Sequence, residues 1–163
     1  SAMSGLHPIT STEELSATEE FLPIGHNSKK AYYTFAHNLD KALGDNLRPQ
    51  FFSDSGIPLQ DSKNKTRGTI QLLQLYLEMR SCSPEIVESI CKPLRHIRRE
   101  RQKPAHSLQT DESEKDYRSA QEELLLSGAA SVRRLCKVLG SQLHGESWEM
   151  PDFLSQPIRP LFE

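Results

Sequence analysis

From Ser28 onward the chain places apolar residues at helical spacing. Tyr32, Phe35, Ala36, Leu39 and Leu43 share one face, and Gly44 marks a stop, which predicts a first helix over 28–44. The next stretch, 48–66, is rich in Pro, Gly, Ser and Asp and reads as a long loop whose Phe51 and Phe52 pack back onto the protein. Residues 68–79 are apolar nearly all round, with Gln71, Gln74 and Glu78 as a thin polar stripe. Such a helix is central or lies in a subunit contact. In "SCSPEIVESICKPLRHIRRER", Ser83 is a cap and Pro84 suits the first turn, while Ile86, Ile90, Leu94 and Ile97 line one face. Pro93 predicts a kink, because it removes an amide donor and crowds the carbonyl four residues back. A last long helix is expected from about Asp111 to Leu143, with Leu125, Ala129, Val132, Cys136, Leu139 and Leu143 on its apolar stripe. Gly128, Ala129 and Ala130 would let a neighbour approach closely.

No stretch alternates with the period of a strand, and no repeat appears. The expected fold is all-α, an up-and-down helical bundle of four to five helices with an extended C-terminal tail. Residues 1–27 form an N-terminal arm that begins with Ser1-Ala2-Met3, an expression scar, and contains a capping box at 11–14. The bundle occupies 28–143, and residues 144–163 pack on it as a strap.

Composition narrows the functional classes. The 163 residues are 36% hydrophobic and 26% charged, which suits one core, and the net charge of -2 excludes a polycation that coats nucleic acid nonspecifically. Anion binding, where it occurs, must be local. The longest apolar stretch, 69–79, is far short of the roughly 20 residues that span a bilayer, and the N-terminus lacks the features of a secretory signal. No membrane partner is expected, and a cytoplasmic location follows. Cys82, Cys91 and Cys136 form no C-x-x-C pair and read as small buried thiols. The histidines lack zinc-ligand spacing. A G-x-S-x-G elbow and the glycine-rich phosphate loops are absent from the sequence. Trp148, Phe153 and Phe162 are read as packing residues rather than base-stacking platforms, and His37 and His96 offer no functional handle.

One stretch departs from this picture. Lys92 to Lys103 holds six cationic residues against a lone Glu100, whereas 111–123 is acidic. A solvated basic helix end facing an acidic helix start accounts for the charge alone. Helical phase adds to it. At about 100° per residue, positions 94, 97 and 101 lie within roughly 40° of Ile90, and 99 lies opposite. Arg101 therefore continues the apolar face, where a guanidinium needs a buried anionic partner or a cleft that admits one. Arg99 points to water. Pro104 ends or restarts the helix, so His106 is free of that phase.

The segment "IRRERQKPAHSL", 97–108, resembles the signature of the HEPN superfamily, small helical bundles many of which are metal-independent endoribonucleases marked by an arginine, four to six residues and a histidine. Arg101 and Arg99 both satisfy the spacing to His106, and the phase selects Arg101. The resemblance extends in pattern over 28–143, with its specific part in "RQKPAH"; Gln102 stands where family members usually carry Asn, Asp or His. It implies catalytic roles for Arg101, which would neutralise the scissile phosphate, for His106, which would position the 2′-hydroxyl or move a proton, and for Gln102, which would contact the phosphate or orient His106. Arg95, Arg98, Arg99 and Lys103 would hold the RNA backbone. No metal or cofactor is required, and the site would be shared across a homodimer. An antitoxin or regulatory protein is the further partner implied, in a toxin or defence setting. Two other readings stay open: a HEPN-like module that binds nucleotide, RNA or protein without catalysis, and an unrelated helical interaction domain.

Overall fold

The three longest helices begin where the sequence supplies a side-chain cap. In the computed structural model, which describes residues 27–103, 116–145 and 148–156, Ser28 accepts the Ala31 amide and opens α1 (Lys29–Gly44). Ser83 accepts the Ile86 amide, with Pro84 in the first turn, and opens α4 (Pro84–Gln102). Asp116 accepts the amides of Arg118 and Ser119 and opens α5 (Tyr117–His144). Between them lie α2 (Pro49–Asp54) and α3 (Thr69–Met79), and a single turn, α6 (Asp152–Ser155), follows. Among the described residues there is no strand, only an isolated bridge between Gln60 and Thr66. The fold is the expected all-α bundle. None of these helices is long and apolar enough to cross a membrane.

The hub is α4, which packs against α1, α3 and α5, while α2 rests on α3. Two cores follow from this arrangement. The larger joins Phe51 and Phe52 of α2, Leu73, Tyr76 and Leu77 of α3, Ile90 and Leu94 of α4, and Leu135 and Leu139 of α5. The smaller gathers Tyr32, Phe35 and Leu39 of α1 around Ile97, Tyr117 and Leu124. Each large side chain so buried contributes about 1.5–3 kcal/mol, and the larger core grips the first half of α4. Its last turns are left at the edge of the smaller one.

Four expectations are corrected. Pro49 starts a short helix inside the stretch expected to be a loop, because Phe51 and Phe52 bury together against Tyr76. Ile86 is 41% exposed and Val87 takes its place in the core. The last helix starts at Tyr117 rather than near 111, since the Asp116 side chain satisfies the first amides; residues 111–115, like the arm 1–26, lie outside the described residues. Finally, the buried face of α5 is Tyr117, Gln121, Leu124, Gly128, Ser131, Leu135 and Leu139, while Leu125, Ala129, Val132 and Cys136 are half-buried and Leu143 is exposed. The cause is close approach to α4. A Cβ on Gly128 would stand 3.0 Å from Ile97 Cδ1, and Ser131 Oγ donates to the Ile90 carbonyl at 2.6 Å.

Pro93 lies inside α4 without ending it. It deprives the Ser89 carbonyl of its helical donor, and Arg134 of α5 supplies one at 3.4 Å. The tail runs back along α5: Trp148 rests on Gly140, and Arg133 donates to the Gln156 carbonyl.

Candidate functional site

The last two turns of α4 present different chemistry on their two sides. Toward α1 and α3, Asp40 is only 2% exposed and its carboxylate is shared. Oδ1 accepts from Arg98 Nε at 3.2 Å and Oδ2 from Arg101 Nη1 at 2.7 Å. Arg98 Nη2 also donates to Thr69 Oγ1 at 3.3 Å, in the first turn of α3. Gly44 makes room for this: a Cβ there would lie 2.5 Å from Arg98 Nη2. Two cations on one anion leave the trio with a net positive charge. Arg101 is 39% exposed, and its Nε and Nη2 make no hydrogen bond among the described residues.

Toward α5 the acid belongs to α4 itself. Glu100 is 5% exposed; Oε2 accepts from the Tyr32 hydroxyl at 2.9 Å and Oε1 from Lys103 Nζ at 2.6 Å. Burial pushes the Glu100 carboxyl up. The hydrogen bonds from Lys103 and Tyr32, with the charges of Lys103 and His96, outweigh it and hold the group below its ordinary range. Burial, then the hydrogen bond to Glu100, pushes the Tyr32 phenol up, so it stays a donor. Tyr32, His96, Glu100, Lys103, Glu123 and Leu124 line an open cleft of about 280 Å³ beside this pair.

The residues singled out by the sequence are thus dispersed around one helix end. Arg101 turns inward to a buried acid, Arg99 is exposed with a contact to the Arg95 carbonyl, and Gln102 is exposed. Arg95 pairs with Glu88 at 2.6 Å and Gln74 at 3.1 Å, Arg98 with Asp40, and Lys103 with Glu100. His106 lies outside the described residues. Sequence reasoning missed Asp40, although its position was visible: it follows Leu39 and stands four residues after Ala36, on the buried side of α1. Tyr32 was read as part of the apolar face of α1 but its bond to Glu100 was not, and Thr69 carried no comparable signal.

Among the described residues no three of His, Cys, Asp and Glu are grouped to hold a metal ion. Burial pushes the Cys91 thiol up to about 11 and raises that of Cys136, so neither is an activated nucleophile. Fold and site together define an all-α bundle carrying a half-exposed guanidinium anchored on a buried carboxylate. Comparisons with protein-family models, with curated proteins and with solved structures find no match.

Proposed function

We propose that the chain is a metal-independent endoribonuclease of HEPN type that acts in the cytoplasm as a homodimer, the motifs of two protomers meeting to form one site. The observation that carries this reading is Arg101: it is anchored through one nitrogen, its side chain is 39% exposed, and it stands five residues before His106, with four residues between. The 2′-hydroxyl oxygen attacks phosphorus and the bond to the 5′-oxygen breaks, leaving a 2′,3′-cyclic phosphate and a 5′-hydroxyl. His106 takes the hydroxyl proton or delivers one to the leaving oxygen, Arg101 neutralises the developing charge, and Gln102 hydrogen-bonds the phosphate. An antitoxin-like regulator would restrain such an activity.

A second reading has its own support. Arg95, Arg98 and Lys103 each have an acidic partner within the chain, which weakens the rim expected to grip an RNA backbone. That pattern favours a HEPN-like module that binds RNA, nucleotide or protein without cleaving. Incubation with single-stranded RNA in EDTA, followed by end-group analysis, separates the two. The ribonuclease yields cyclic-phosphate ends, and Arg101→Ala or His106→Ala lowers its rate by at least about 100-fold, the scale of removing one transition-state donor. Binding without cleavage transfers the case to the second reading, and neither binding nor cleavage to an unrelated helical interaction domain.

A further inference from the structure

Arg98 and Arg101 share one carboxylate, but they use it through different nitrogens. Arg98 engages Nε on Asp40 and Nη2 on Thr69, so the edge of the guanidinium that grips an oxyanion with two parallel bonds is occupied. Among the described residues Arg101 engages only Nη1; its Nε and Nη2 make no hydrogen bond there, and the side chain is 39% exposed. A guanidinium is a rigid planar fork, so pinning one corner fixes the direction of the opposite edge. Asp40 is itself held: it is buried, Arg98 of α4 anchors it and is in turn braced on Thr69 of α3, and Gly44 leaves the space that Arg98 needs.

We propose that Asp40 is the positioning residue of the site, and that through Nη1 it aims the Nε and Nη2 edge of Arg101 at an RNA phosphodiester, with Arg98 serving as the brace that keeps Asp40 in place. The proposal rests on the ribonuclease reading above. It differs from a simple staple in its consequence: loss of the Asp40 charge acts through Arg101 and nowhere else in the reaction.

The test is a double-mutant cycle on the full chain, with a 5′-labelled single-stranded RNA in EDTA as probe. Asp40→Asn is expected to lower kcat by about 30-fold or more with KM within about threefold, because it disturbs orientation rather than encounter. Arg101→Lys is expected to lose at least as much, and the double variant no more than Arg101→Lys alone within about threefold. Losses that multiply in full show Asp40 acting through the fold and overturn the proposal. Rotation about the Arg101 Cζ–Nη bonds, followed by NMR, is expected to be hindered in the parent and rapid in Asp40→Asn; rapid rotation in the parent overturns the proposal whatever the RNA does. A parent with hindered rotation that neither cleaves nor binds RNA instead removes the ribonuclease reading and leaves the pinning intact. Where Asp40→Asn does not fold, Asp40→Glu enters the same cycle. It retains the charge one methylene further out and is expected to lose about threefold to tenfold in kcat, again without effect beside Arg101→Lys.

Discussion

Asp40 and Glu100 are both buried acids beneath the last turn of α4, yet they are built in opposite ways. Asp40 comes from the neighbouring helix and receives two full cations from α4, each still partly in water. Glu100 comes from α4 and receives one cation from its own turn and one neutral hydroxyl from α1. In both cases the burial of a carboxylate is offset by two hydrogen bonds. The difference lies in what is left over. On the Asp40 side a partly exposed guanidinium keeps donors with no hydrogen bond among the described residues, whereas Glu100 has a partner on each oxygen. Both acids tie α4 to α1, and the Asp40 pair alone holds a partly exposed guanidinium with donors to spare.

This contrast can be broken by substitution. The largest effect is expected from Asp40→Ala, which leaves two guanidiniums without their acid and costs about 2–3 kcal/mol, below the full range for buried pairs because both arginines reach solvent. Urea denaturation checks it; a loss under about 0.5 kcal/mol would erase the distinction from an ordinary surface pair. Glu100→Gln is expected to cost about 1–2 kcal/mol near neutral pH. Since the folded carboxyl is the stronger acid, the unfolded chain binds more protons as pH falls. The stabilisation is therefore full above the ordinary carboxylate range and is lost as pH drops through and below it, so thermal melts of parent and variant should converge only on the acid side of that range. Tyr32→Phe removes one donor to Glu100 and is expected to cost about 1 kcal/mol. Gly44→Ala is the smallest. Helix propensity gains roughly 0.5–1 kcal/mol, displacement of Arg98 from Asp40 opposes it, and a net change within about 0.5 kcal/mol is expected, together with a shifted Arg98 Nε resonance. Asp40 and Glu100 share no partner, so their losses should add within about 0.5 kcal/mol.

What the sequence disclosed depended on whether a position was filled by the residue type that its environment favours. Ser83 is a cap and Pro84 a first-turn residue both in the sequence and in the fold. Arg101 was placed inward because Ile90, Leu94 and Ile97 fix the phase of α4 over the two preceding turns. The buried face of α5 escaped the same logic. Close contact with α4 fills it with Gly128, Ser131 and Gln121, so a count of apolar residues selects the larger side chains one step round the helix. Partnerships across 58 to 68 residues, such as Asp40 with Arg98 and Tyr32 with Glu100, are set by helix packing and leave no local trace.

Trp148 is the sole tryptophan of the chain, and its ring lies on Gly140 near the C-terminal end of α5. That end of α5 is remote from the turn carrying Arg101, because α5 runs antiparallel to α4, with Gln142 meeting Cys82 and Gly128 meeting Ile97. Indole emission is therefore a reporter of whether the strap is seated, readable without a label. A chain whose emission shifts red while its far-ultraviolet dichroism holds has shed the strap and kept its helices.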